Sequence, residues 1–443
     1  MRLSDLRDCF EGVIPSVIAT LDADGLPNAS YLSQVFLVDD DRLALSNQFF
    51  SKTAANVRQT GRAALLMVNG RSGRQYVADL AFDRSVEAGE LFERMDAHLK
   101  ALSMGHGAGM AEVMRLRGAD VYRVEGLRPT PSFAEPPVAA AAPPDRRLAA
   151  VGRVADALAA QSDPDAALDV ALERLDAELG FPHAMILALD EGDASLAVLA
   201  SRGYPAGGVG SEVPLGAGAI GIAAQTGRPV RIADLSRGQR LAGAALSQAE
   251  LDDLRVIPLP GLPDPLSQLA VPMIAGGKVR GVVFVEAATR FAFAPEDEQA
   301  LALVAALLAS QLAAQSAAGA DRRPEPPQAP APREARPFKV RYYPFDDSVF
   351  VDEAYLIKGV PGRLLHHFLR LWLDEGRGDF SNRELRLDTR LRLPDLKDNL
   401  ETRLILLKRR LDEKAAPIRL SRPGRGLIRL EVAGTPTIEI VEP

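Results

Sequence analysis

Apolar positions recur along this chain in two rhythms, and the changes of rhythm mark three blocks. The first is mostly period two. Residues 16–21 predict a strand, Asp22-Ala23-Asp24-Gly25 a turn, and residues 28–38 the returning strand of a hairpin. Further strands are expected over 42–46, 63–69, 74–81 and 119–124, with an amphipathic helix over 87–102. The second block opens at helical period, with Leu168, Ala171, Leu172, Leu175 and Leu179 on one face of the run 149–180. Strands follow over 183–189, 196–200, 268–274 and 279–286, then a helix from 295 to 314. In the third block, short strands at 339–343 and 348–351 precede a helix starting at Pro361, the favoured first position. That helix turns Leu364, Leu365, Phe368, Leu369 and Trp372 inward. Ser381 and Glu384 predict a capped second helix. The third, 398–411, carries Leu400, Leu404, Leu407 and Leu411 on one face, and a hairpin over 418–432 follows.

Two stretches separate the blocks. Residues 129–147 are rich in Pro and Ala, and residues 317–337 hold Pro324, Pro326, Pro327, Pro330, Pro332 and Pro337. Both compositions make semi-rigid linkers. The expected domains are therefore 1–128, 148–316 and 338–443. The net charge of −7 rules out a chain that coats nucleic acid indiscriminately. The charge is uneven, with an excess of about four positive charges from Arg336 onward and about −11 upstream. The single cysteine, Cys9, excludes a disulfide framework and a cysteine-based zinc site, and the five histidines lack metal-ligand spacing, so no metal is expected. The first residues lack an apolar signal core, and the apolar run 301–314 is too short to span a bilayer. A cytoplasmic protein with no membrane contact is the expectation.

Within the first block, Ser51-Lys52-Thr53 places two hydroxyls and a positive charge at a helix start, where phosphate is readily held. The block resembles the pyridoxamine-5′-phosphate-oxidase-like FMN-binding split barrel over residues 8–128. The likeness is carried by 46–69 and by Met114-Arg115-Leu116-Arg117-Gly118-Ala119-Asp120-Val121-Tyr122. It implies FMN as cofactor, with its phosphate against Ser51, Lys52 and Thr53 and with Asn56 as a further contact. It also implies a homodimer with the flavin between subunits. A solvated first-turn lysine is the plainer reading of Lys52. No pattern for a pyridoxal-phosphate substrate stands out. His98 and His106 read as a helix-surface and a loop histidine.

The second block resembles a GAF domain over 148–315, carried by Gly216-Ala217-Gly218 at a helix start, by Thr226-Gly227-Arg228-Pro229-Val230 and by the final hairpin. It has no cysteine for a covalent bilin, and Ala287-Ala288-Thr289-Arg290 lacks the cyclic-nucleotide pattern of that family. His183 reads as a strand-edge residue. A small-molecule effector and simple dimerisation both remain open, and the flanking helices suit a parallel dimer.

The third block resembles the winged helix of response-regulator transcription factors over 338–432, best in Asn382-Arg383-Glu384-Leu385 and the Gly424-Arg425-Gly426 turn. The resemblance implies a recognition helix at 398–411, a wing at Arg425, and DNA contacts from Arg403, Lys408, Arg409, Arg410 and Arg425. The competing reading pairs these cations with Glu401, Asp412 and Glu413 on a helix that binds only protein. The acid-bearing connection 387–397 departs from the family pattern. No phosphoacceptor receiver stands upstream, so a signal is expected to enter through the first two blocks. The fold class is thus a multidomain α+β chain: split β-barrel, α/β GAF sandwich, winged helix. The expected function is a sensor and transcription regulator that couples flavin or small-molecule binding to DNA binding. The alternative is an FMN-dependent oxidoreductase with regulatory appendages, for which no catalytic residue is singled out.

Overall fold

The computed structural model describes residues 1–47, 51–103, 115–130, 145–190, 194–235, 257–318, 336–391, 393, 400–424 and 426–441, with backbone alone at 51, 102–103, 145–146 and 315–318. His106 and Arg425 lie outside the described residues.

The first domain is a seven-stranded sheet in the order β2-β1-β5-β6-β7-β4-β3. Its strands are β1 (Ser16–Leu21), β2 (Pro27–Leu32), β3 (Val35–Asp39), β4 (Arg42–Asn47), β5 (Arg62–Val68), β6 (Gln75–Val86) and β7 (Gly118–Pro129). Alternation puts Ile18, Leu43, Leu45, Leu65 and Met67 into one core. The expected single strand 28–38 is two strands at opposite ends of the sheet. The break is fixed at buried Gln34, whose backbone N–H donates to Ser46 Oγ at 3.2 Å. Period-two patterning cannot reveal such a crossover, because both halves keep the rhythm. Helix α1 (Ser51–Thr60) lies against β1 and β2, and α2 (Glu90–Ser103) reaches the next domain.

In the second domain, α3 (Asp145–Ala159) and α4 (Pro164–Leu179) replace the expected continuous helix. Asp163 caps α4 by accepting from Asp165 N at 3.1 Å, Pro164 supplies the first turn, and Gly180 at φ 73° ends it. The six-stranded sheet runs β10-β9-β8-β13-β12-β11. Its strands are β8 (Ala184–Asp190), β9 (Ser195–Arg202), β10 (Glu212–Pro214), β11 (Val230–Ile232), β12 (Ser267–Ala275) and β13 (Lys278–Ala287). One face, with Ile186, Leu269 and Val283, packs under α3, α4 and α6 (Pro295–Ala318). The other face, with Met185, Val282 and Phe284, packs under α5 (Gly218–Thr226). Ala97 and Ala101 of α2 join that second cluster, so the first domain helps to seal the second. His98 is therefore no surface residue. It packs edge-on to Phe36 at 5.6 Å, and burial, with Arg231 and Arg94 nearby, pushes its pKa down to about 3.

The third domain holds a four-stranded sheet, β16-β15-β14-β20, and a three-stranded sheet, β17-β19-β18. Its order is β14 (Pro337–Tyr343), β15 (Ser348–Val351), β16 (Ala354–Ile357), α7 (Gly359–Glu375), β17 (Asp379–Ser381), α8 (Asn382–Leu387), α9 (Leu400–Glu413), β18 (Ile418–Gly424), β19 (Leu427–Val432) and β20 (Thr435–Ile440). Lys358 caps α7, so Pro361 sits third rather than first, still within the turn that needs no N–H. Ser381 Oγ accepts from Glu384 N at 3.3 Å, but the Glu384 carboxylate turns to Arg377 and leaves the capping box half made. Strand β20 was not anticipated. It runs parallel to β14, with Val340 opposite Ile438, and fastens the end of the chain to the start of the domain.

Candidate phosphate and nucleic-acid sites

Helix α1 turns two of its predicted contacts inward. Thr53 and Asn56 are buried, Lys52 is exposed, and the side chain of Ser51 lies outside the described residues. Thr53 Oγ1 accepts from Asn28 Nδ2 at 2.9 Å and lies 3.2 Å from Ser30 Oγ. Asn56 Nδ2 donates to Thr20 Oγ1 at 3.1 Å. The helix start thus meets two polar side chains of β2, placed on one face by the two-residue period. Asn28 and Ser30 were missed as site residues. Their shared face was readable, but the helix they meet was not. Hydroxyls, an amide and the exposed Lys52 ammonium at a helix N-terminus form a donor set that fits a phosphate. Asn56 is turned away, toward β1, and belongs to the packing of the helix.

A separate cleft of about 600 Å³ lies at the other end of α1. Thr20, Thr60, Arg62, Asp79 and Glu125 line it over an apolar floor that includes Ala63 and Leu80. Neither Lys52 nor Thr53 lines it.

Helix α9 carries four of the predicted DNA contacts, and each has a partner inside the molecule. Arg403 is 8 % exposed and its Nη2 lies 3.2 Å from Asp190 Oδ1 at the end of β8. The Arg409 guanidinium straddles the start of α4. Its Nε pairs with Asp165 Oδ1, its Nη1 lies 2.9 Å from Asp169 Oδ1, and its Nη2 donates to the Asp165 carbonyl at 2.7 Å. Lys408 Nζ bridges Asp165 Oδ2 at 2.8 Å and Asp412 Oδ2 at 3.1 Å. Arg410 stays within its own domain, donating to the Leu356 carbonyl at 2.8 Å and pairing with Glu413 at 2.8 Å. The intrahelical pairing weighed from sequence thus describes Arg410 and half of Lys408. Arg403 and Arg409 instead bind the second domain. Asp165, Asp169 and Asp190 were not foreseen as partners: Asp165 is an ordinary first-turn acid, and nothing local links Asp169 or Asp190 to α9.

Burial works against the charge of Asp165, yet Arg409 and Lys408 hold its carboxyl below the usual range. Arg409 and Lys408 are raised in turn, because carboxylate contacts outweigh their own burial. Gly207 of the second domain lies beside the carboxylate of Glu413 near the end of α9. Lys358 and Glu212 add an outlying pair at 2.9 Å.

The first and second domains meet through another ionic group. Arg231 Nη1 lies 2.6 Å from Glu11 Oε2, and its Nε lies 3.2 Å from Glu298 Oε2. Arg94 reaches the same Glu298 at 2.8 Å. Burial raises the Glu11 pKa against the pull of Arg231, while Glu11 and Glu298 raise that of Arg231 despite its burial. Among the described residues no group of His, Cys, Asp and Glu is arranged to hold a metal, and no helix is long and apolar enough to cross a membrane.

Two family models match the chain. Residues 4–125 match pyridoxamine 5′-phosphate oxidase, and residues 161–313 match the GAF domain. This chain carries a pyridoxamine 5′-phosphate oxidase-type domain followed by a GAF domain. Among solved structures, the GAF domain of an Acinetobacter phosphoenolpyruvate-protein phosphotransferase is similar at 24 % identity and TM-score 0.33, covering 40 % of this chain and 97 % of that one. Free methionine-R-sulfoxide reductase from Neisseria meningitidis is similar at 18 % identity and TM-score 0.30, covering 39 % and 92 %. An FMN-binding protein from Syntrophomonas wolfei is similar at 17 % identity and TM-score 0.25, covering 30 % and 90 %. No curated protein matches.

Proposed function

We propose that this chain is a ligand-responsive regulator of DNA. In this reading the oxidase-type domain binds FMN, with the phosphate at Ser51, Lys52 and Thr53 beside Asn28 and Ser30. The GAF domain takes a small effector, and the third domain is a winged helix that reads DNA with α9 and the hairpin around Arg425. Two copies pair and present two such helices to adjacent half-sites. The reading is supported by the family match over residues 4–125 and by the donor cluster at α1. It also draws on the third domain's order of sheet, three helices and hairpin.

The observation that carries it is the contact of α9 with the GAF domain. Arg403, Lys408 and Arg409 touch three carboxylates of that domain, so a change in α4 or at the end of β8 is felt by the basic helix directly. FMN, when bound, supplies a redox-active isoalloxazine ring. The chain's own part is to hold its phosphate and to pass on the occupancy of the site.

The test is fluorescence anisotropy of the full-length protein with a labelled random duplex of about 30 bp across a salt series, with and without FMN. The expected result is an affinity that falls as salt rises and that differs between the FMN-loaded and FMN-free protein. FMN loading without any change in DNA affinity would remove the coupling, and absence of DNA binding at every salt concentration would remove the nucleic-acid role.

A further inference from the structure

As a DNA-binding helix, α9 has its partner outside the molecule. Within the molecule its cationic side is already occupied. Arg403, Leu406 and Arg409 recur at three-residue spacing on α9, and Leu406 is 9 % exposed. Arg403 and Arg409 end on Asp190 and on the Asp165/Asp169 pair, and Lys408 shares Asp165. Asp165 and Asp169 stand one helical turn apart on α4, and Asp190 closes β8. Arg409 uses three of its nitrogens here, two on carboxylate oxygens and one on a carbonyl, which is the forked donor geometry that also fits phosphate.

We infer that Asp165, Asp169 and Asp190 form a polyanion-mimicking face on the GAF domain. It binds the α9 cations in place of a nucleic-acid backbone, so that docking on the GAF domain and binding of DNA exclude each other. This rests on the DNA-binding reading of α9 and adds its regulation. The exclusion follows from geometry. A guanidinium 14 % exposed, with its nitrogens committed to Asp165 and Asp169, has no free edge for a phosphate until it leaves them. Asp165 keeps its charge while buried because both cations face it, so the face stays anionic when covered. Release has a cost beyond the ion pairs. Beside the ion pairs, the buried cores of the two domains join in one apolar cluster to which Leu406 of α9 belongs, so undocking must expose that surface as well as part the outlying Lys358–Glu212 pair, which is more than a third exposed on both sides.

The experiment uses the full chain and a fluorescein-labelled random duplex, followed by anisotropy at two salt concentrations. The variant Asp165→Asn/Asp169→Asn/Asp190→Asn removes the three charges and keeps the side-chain shapes. Its control removes three charges far from α9, by Asp40→Asn/Asp83→Asn/Glu87→Gln, and so reports the effect of net charge alone. The expected result is DNA affinity raised about tenfold, within the usual span of site-to-site coupling. The control should show little gain, and Arg409→Ala added to the triple variant should cancel it. Hydrogen exchange of residues 400–413, measured on the same samples, should rise in the triple variant without DNA and shows whether the fold around them survives. Equal DNA affinity of the triple variant and the parent, with binding measurable in both, overturns the mimicry and leaves the DNA-binding reading standing. A gain matched by the control also overturns it. Absence of binding in every form, with 400–413 freely exchanging in the triple variant, overturns both.

Discussion

Helices α1 and α9 were singled out from the same kind of signal, a cluster of phosphate-seeking donors, and the structure gives them opposite surroundings. At α1 the charged member, Lys52, is exposed, and the inward hydroxyl of Thr53 meets, among the described residues, the neutral groups of Asn28 and Ser30. At α9 the charged members are covered by carboxylates, Arg403 by Asp190 and Arg409 by Asp165 and Asp169. A sequence displays its donors locally. Their acceptors lie 213 and 244 residues upstream, where no local pattern points to them. Among the described residues, the first helix thus leaves its charged side chain exposed, whereas the second has its cations on carboxylates of the neighbouring domain.

That contrast can be broken most severely from the occupied side. Asp165→Ala leaves Lys408 and Arg409 largely buried with one acceptor fewer, a change of the kind that costs about 3 kcal/mol. A urea titration of the full chain should show a lower midpoint, corresponding to that loss of free energy at the measured m-value, and an unchanged midpoint would mean the contact carries no stability. The open side should respond differently. If the proposed phosphate site holds, Lys52→Ala removes one charge-assisted contact, worth about 1.5 kcal/mol or roughly tenfold in FMN affinity. Its stability should stay within about 0.5 kcal/mol of the parent, as for other exposed positions. Undiminished FMN retention, followed by flavin absorbance, would count against the phosphate site.

A smaller effect comes from pH. His366 stacks on Tyr342 at 3.9 Å, and burial, with Arg370 and His367 nearby, pushes its pKa down to about 4. The folded third domain therefore refuses a proton that the unfolded chain accepts below its ordinary 6.5. Stability is full above that value and falls as the pH drops toward about 4. Because the ring is only half buried, the loss between pH 7 and 5 should be about 1 kcal/mol. His366→Phe keeps the stacking and should flatten this slope. The docking contact should not follow, since Asp165 is held ionised below the usual carboxylate range. A slope unchanged by the substitution would place its origin elsewhere.

Much of the fold was legible. The period-two runs marked most strands, and the leucine stripe of α9 marked its core face, where Leu400, Leu404, Leu407 and Leu411 are all buried. What failed to show was long-range. Residues 28–38 kept their rhythm through the break at Gln34, and β20 gave no sign of its parallel return to β14. His98 looked like a helix-surface residue because amphipathicity describes one helix and not the domain laid against it. At the sites, the residue types on α1 and α9 were readable. Their neighbours Asn28 and Ser30 on one, and Asp165, Asp169 and Asp190 on the other, required the tertiary structure.

The most direct test of the account measures the separation of α4 and α9. Spin labels can be placed at Glu173→Cys and Lys414→Cys, both exposed. The buried Cys9, whose thiol pKa is pushed up to about 12, stays unlabelled. Double electron–electron resonance on the full chain should give one short distance in the free protein and a second, longer one when duplex DNA is bound. DNA bound with the short distance unchanged would contradict it.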